Sequence, residues 1–236
     1  LIAQGDEFMT TTETWPGRVA LMVAHCAGMV DLVALPIWIG TLIVYYKFDP
    51  QQAGGLATLF LVGAVASSLV FAPRFTRIRG RLAAALGFGV AALAFFAVSL
   101  TTDYLIMAAL HALAGITAGC ALTFTHGTIG RSRNPHRLFA IVSMALGVFA
   151  IVFLGGTPKL VALTGGATLF RTFAGVMLVG AVAAAVAFPE TEQAGDESAG
   201  VTARLERPVW FAIGGISCMA LAGPDRPFIQ SMNWRA

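Results

Sequence analysis

Four histidines, one isolated aspartate and a few arginine clusters hold most of the chemistry this sequence can offer. Asp31 is the only formal charge between Arg18 and Lys47, inside an otherwise apolar stretch. Placing a carboxylate midway along such a stretch in lipid costs roughly 2.5–3.5 kcal/mol, so it belongs beside a cavity or a partner and is a candidate proton carrier. At helical spacing Ala24, Ala27, Gly28, Asp31, Ala34, Leu35 and Trp38 share one side. Small residues flanking an acid and an aromatic suit a helix that lines a passage. The plainer reading is an aspartate that only ties helices together by a hydrogen bond. His111 shares a broad face with Gly115, Ala118, Gly119, Leu122 and His126. It is either a titratable group on the same path or a packed, locally satisfied side chain. Gly115 and Gly119 form a GxxxG step that lets two helices approach closely. His25 lies six positions before Asp31, roughly 240° round a helix, and reads as structural.

The histidines show no metal-ligand spacing, and neither a Ser/His/Asp arrangement nor a Gly-rich phosphate loop is present, so no cofactor and no metal is expected. Cys26, Cys120 and Cys218 lie in apolar stretches without paired spacing, which implies packed, reduced thiols rather than disulfides or a zinc site.

The elements that must position these residues follow from composition. Of 236 residues, 57% are hydrophobic and 11% charged, less than half the roughly 25% charge of a soluble domain. Mean hydropathy is +0.79. A soluble enzyme, a disordered chain and a nucleic-acid binder are excluded, and the net charge of +3 comes from short clusters rather than a basic face. Charges punctuate six apolar blocks near the spanning length of about 20 residues: the first between Arg18 and Lys47, then Ala53–Ala72, Leu82–Leu100, Leu105 to about Gly127, Leu138–Pro158 and Leu169–Phe188. Each must be helical, because an open strand in lipid leaves backbone groups unpaired. The fold class is therefore all-α, a polytopic membrane protein with a six-helix bundle. Pro36 and Pro158 fall inside spans that can kink, and a kink in the first span beside Asp31 is compatible with a gate.

Orientation follows from lysine and arginine in the short loops. Arg74, Arg77, Arg79 and Arg81 follow the second span, and Arg131, Arg133 and Arg137 follow the fourth, while the alternate loops hold little positive charge. The N-terminus is thus expected in the cytoplasm. Tyr45, Tyr46 and Tyr104 fall at outer helix ends, and Trp15 and Trp210 at inner ones. Arg171 is expected at the outer interface, its guanidinium reaching for water. The expected organisation is a cytoplasmic leader over 1–17, a six-span bundle over 18–188, a cytoplasmic linker over 189–208, and a truncated seventh span with a polar tail over 209–236. No secretory signal is expected ahead of the first long run. The apolar run Val209–Gly223 is short of a full crossing and reads as a span cut off by truncation or a frame change.

Six spans, inward termini, a basic link after the second span and a hydrophilic link after the sixth resemble the amino-terminal half of a major facilitator superfamily transporter, over about residues 17–223. The closest local likeness is Gln51-Gln52-Ala53-Gly54-Gly55 opening the second span and Arg77-Ile78-Arg79-Gly80-Arg81 after it. The second tract is similar to the family's basic loop motif, with Gly80 and Arg81 at its Gly-Arg step and the motif's acidic residue missing. His111-x-x-x-Gly115 keeps the spacing of the family's arginine and glycine in the fourth span. Gly155-Gly156-Thr157-Pro158 lacks the Gly-Pro dipeptide of the antiporter motif, so exchange is not inferred.

The resemblance implies a 3+3 repeat of helices within the six-span half and a substrate site between two such halves. It implies a secondary active transporter, not an enzyme, moving a small organic solute across the plasma membrane by alternating access. Asp31, Trp38, His111 and Gly115 would then lie on the substrate and proton pathway, and Arg77, Gly80 and Arg81 would form the cytoplasmic loop motif. The implied partners are the lipid bilayer, the solute and protons, with self-association or a separate second half completing the cavity; no nucleic acid is expected. Two rival readings are a non-transporting membrane fragment or scaffold, favoured by the short seventh run, and a membrane-embedded enzyme, which would need clustered acids and histidines at one depth.

Overall fold

A computed structural model describes Thr12 and residues 14–190. The linker, the seventh apolar run, Trp210 and Cys218 lie outside the described residues, as does most of the leader. Seven α-helices form six membrane-length spans: α1 Trp15–Gly28, α2 Val30–Val44, α3 Pro50–Phe71 with a 3-10 turn at Ala72–Arg74, α4 Gly80–Val98, α5 Tyr104–Gly130, α6 Pro135–Thr164 and α7 Ala167–Ala187. Helices α1 and α2 together make the first span. No strand occurs among the described residues.

Local chemistry sets the boundaries. The acids of the short loops are caps. Asp49 accepts the Gln52 N–H at 2.7 Å while the Gln52 side chain accepts the Asp49 N–H at 3.2 Å, with Pro50 at the first helical position. Asp103 accepts the Ile106 N–H at 2.9 Å. Thr14 caps α1 through the Gly17 N–H, ahead of Pro16. Helix α6 ends at Gly165, whose φ of 94° only glycine adopts without strain.

Packing follows the small residues. The closest approach is between α3 and α5, where glycines on each helix meet the other's backbone. A Cβ on Gly119 would stand 2.5 Å from Ala64, one on Gly63 2.8 Å from the Ala112 oxygen, and one on Gly115 would run into the Phe60 carbonyl. Helix α4 packs broadly on α5 and α7, and α1 packs on α7, α5 and α6. Exchanging the first three spans for the last three carries the α3–α5 contact onto α6–α1, the α4–α5 contact onto α7–α1, and α4–α7 onto itself. All of these pairs touch, the pattern of two three-span repeats. Helix α6 is the least covered, and Gly147, Gly155 and Gly156 on it face open space.

The first span is broken, but not at the proline that its sequence offers for a kink. It is interrupted at Met29 (φ −107°, ψ 14°), near its midpoint. The Met29 N–H still reaches the His25 carbonyl at 3.0 Å, but the Val33 N–H to Met29 carbonyl contact stretches to 3.4 Å. Pro36, the residue that suggested a kink, sits inside a continuous α2. The break comes where Gly28 is pressed against α5, leaving a Cβ there only 2.5 Å from Leu122 Cδ1. The helical face drawn through Asp31 is correspondingly divided. Ala24, Ala27, Gly28, Ala34 and Trp38 are buried, Asp31 is half-buried and Leu35 is exposed.

Candidate functional site

Both arginine-bearing links and the start of α1 lie at one end of the bundle, called here the arginine end. Its helix termini are tied together. Arg81 donates through Nε to the Ala185 carbonyl at 2.7 Å and through a second nitrogen to the Ala185 and Val186 carbonyls, the latter at 3.1 Å. A cation thereby meets the exposed carbonyls at the C-terminus of α7. Gly80 begins α4 beside the Phe188 ring, where a Cβ would stand in ordinary contact at 3.4 Å. Arg77 is exposed, its backbone N–H turned to the Arg74 carbonyl at 3.0 Å. Arg131 holds its guanidinium 4.1 Å above the Phe75 ring. At the opposite end Tyr46 packs edge-on against Phe170, Phe48 packs edge-on against Tyr104, and Gly166 lies against Tyr45. Burial pushes the Tyr46 hydroxyl above its ordinary range, against a downward pull from the Arg171 charge.

Two of the sequence-nominated residues meet. Trp38 on α2 and His111 on α5 stack with centroids 5.4 Å apart at 22°, at 1% and 0% exposure. Phe95, Phe170 and Phe173 stand edge-on around them, and Phe60 meets Trp38 edge-on at 5.5 Å. His111 Nδ1 lies 2.6 Å from the Met107 carbonyl. A carbonyl only accepts, so Nδ1 carries the hydrogen and Nε2 of the neutral ring is a bare acceptor. Among the described residues that Nε2 has no hydrogen-bond partner, and neither does the Trp38 Nε1–H. One donor and one acceptor are thus buried unpaired in an aromatic box, an arrangement that ordinarily costs about 1–3 kcal/mol per group. Gly115 lies one turn along α5 from His111, in the tight α3–α5 contact that fixes the height of the imidazole.

Asp31 stands apart from that box, two turns earlier on α2. It occupies the first turn of α2, immediately past the break. A helix that restarts in mid-span offers free N–H groups and the positive end of its dipole there, which favours a carboxylate. It is the only acid inside the membrane spans among the described residues.

Besides the Trp38–His111 contact, sequence reasoning missed a second pairing and both of its members as site residues. His25 on α1 and His126 on α5 are in hydrogen-bond contact, Nδ1 to Nε2 at 3.1 Å. His126 also lines a cleft of about 430 Å³ with Ser68, Ala72, Phe75, Thr123 and Arg131, opening at the arginine end. The two residues stand 101 positions apart, and no spacing rule joins them. The available signal was that each is a polar residue inside an apolar run.

A family model described as Major Facilitator Superfamily matches residues 20–231. Comparison with the curated proteins gave no match.

Proposed function

The chain belongs to the major facilitator superfamily, a family of membrane transporters rather than enzymes, and from that premise we propose that it couples the movement of a small organic solute to protons through Asp31. The observation that carries the reading is a carboxylate in the first turn of a half-helix that restarts in mid-membrane. Interrupted helices whose ends face the pathway are where transporters place their coupling ions. Asp31 can carry its charge against the positive helix end and lose it by binding a proton, so it can take and release a proton as its access alternates.

Trp38 and His111 supply the solute side. Their aromatic faces, one unpaired donor and one unpaired acceptor are what a small polar solute would meet once the surrounding phenylalanines part. Gly115 positions His111 by holding α5 against α3. Arg77 in the link, with Gly80 and Arg81 opening α4, would serve as the cytoplasmic motif, in which Arg81 fastens α4 to α7 at the arginine end. By the positive-inside rule this end faces the cytoplasm across the plasma membrane. The largely uncovered α6 leaves a surface for lipid or for a second six-helix unit, which would form the other wall of the pathway.

The test is uptake by the purified protein in lipid vesicles, screened over small organic solutes with and without an imposed pH gradient. Wild-type protein is expected to accumulate a solute only when the gradient is present, and Asp31→Asn to lose accumulation while retaining downhill exchange. Gradient-driven accumulation by Asp31→Asn equal to wild type removes Asp31 from the mechanism.

A further inference from the structure

The second titratable cluster within the helices lies at the other side of the break. The His25–His126 separation of 3.1 Å is an N–H···N hydrogen bond, with ring centroids 5.2 Å apart. One ring must donate and the other accept, so the neutral pair holds two protons on four nitrogens and the donating ring keeps one bare nitrogen. A proton taken up there converts the contact into an imidazolium–imidazole bond, charge-assisted and stronger than the neutral one. A further proton would set two cations against each other and break the bond. The pair is therefore built to hold one extra proton, not two.

Its surroundings agree. His126 lines the arginine-end cleft, where the Thr123 hydroxyl donates to Ser68 Oγ at 2.9 Å and makes a lining that water can wet. His25 lies in the last turn of α1 and accepts the Met29 N–H at the break, so the negative end of that helix dipole favours a cation beside it. The break thus creates a place for positive charge at the end of α1 and one for negative charge, Asp31, at the start of α2.

The charged groups on neighbouring elements leave that pattern intact. From α5, Arg131 shares the cleft with its guanidinium over Phe75. Helix α6 presents the Phe139 ring to His126, its Arg137 lines a separate cleft with Arg18, and its His136 is exposed in the first turn. The α3 residues in the cleft are uncharged, Arg81 of α4 is bonded to α7 carbonyls, and Arg171 of α7 is at the opposite end.

We propose that His25 and His126 form a one-proton binding site, separate from Asp31 and filled through the arginine-end cleft. Its use in coupling rests on the reading of Asp31 given above; its existence as a site does not.

The test is nitrogen NMR of ring-labelled histidine in the full chain in lipid nanodiscs. At neutral pH a coupling across the N–H···N bond is expected between the two rings. On lowering the pH stepwise from about 8 until the rings have titrated, both should report uptake of one shared proton at a single midpoint. His25→Gln or His126→Gln should move the remaining partner's midpoint by about one pH unit or more. The pair's N–H hydrogens should exchange with heavy water well before that of His111. Absence of the cross-bond coupling, independent titration of the two rings, or exchange no faster than His111 would overturn the site. Asp31→Asn separates the two ideas. It should abolish gradient-driven accumulation and leave the shared titration unchanged; accumulation that survives it counts against Asp31 alone, and loss of the shared titration in wild type counts against the pair alone.

Discussion

His111 and His126 lie on the same helix about four turns apart, yet the bundle treats them in opposite ways. His111 is sealed among aromatic rings, with one nitrogen bonded to backbone and the other unpaired. His126 is half-buried, bonded to a second histidine and set against a polar cleft. The difference arises from what α5 meets along its length. Toward the tyrosine end it faces Trp38, Phe60, Phe95 and Phe170, bulky aromatic groups that are themselves fully buried. Toward the arginine end it faces Ser68, Ala72 and Phe75 across a partly polar cleft. One end is a plug and the other is a mouth. A transporter that alternates access must exchange those roles, and the orphaned polar atoms of Trp38 and His111 are groups that stand to gain partners when it does.

The largest effect expected from breaking this arrangement is at the α3–α5 seam that holds both histidines. Gly115→Leu would drive a side chain into the Phe60 backbone, which cannot swing aside. The loss should exceed the roughly 1–3 kcal/mol usual for overpacking, read as failure to recover monodisperse protein in detergent. Gly147→Ala on the uncovered α6 should leave yield and thermal midpoint unchanged. Trp38→Ala comes next. It empties the centre of the plug, at a cost of about 3–5 kcal/mol, and should let a thiol reagent applied from the tyrosine-end side reach a cysteine placed at His111. Arg81→Ala removes the cation from the α7 carbonyls and should lower thermal stability by about 1 kcal/mol, with α7 amides near Ala185 exchanging faster. The smallest change is Trp38→Phe, which deletes the unpaired N–H and keeps the ring. Removing an unsatisfied donor offsets the lost volume, so stability should shift by less than about 1 kcal/mol, while affinity for a solute that bonds to that N–H should fall.

Much of this architecture was legible in the residues. Arginine clusters after alternate apolar blocks gave the six spans and put both basic links at one end, because charge in lipid is costly enough to dominate local preference. Asp49 and Asp103 sit directly before apolar runs and became helix caps, a short-range effect that sequence carries well. The GxxxG step at Gly115 and Gly119 foretold a close helix contact, though not that α3 would be the partner. The interruption at Met29 was not legible. Pro36 is the stronger local signal, yet the helix tolerates it, and the break instead falls where Gly28 is squeezed by Leu122 of a helix far along the chain. The His25–His126 and Trp38–His111 pairs were hidden for the same reason. Helical periodicity says which residues share a face, but not which face of another helix will meet it.

The central claim is that a proton binds at Asp31 and its passage is tied to the solute. The most direct measurement is the pH inside vesicles carrying the reconstituted protein, followed with an entrapped dye after a transported solute is added outside. Wild-type protein should acidify or alkalinise the interior in step with solute entry, and Asp31→Asn should move solute down its gradient with no pH change. Solute-linked proton movement of wild-type size in Asp31→Asn would contradict the account.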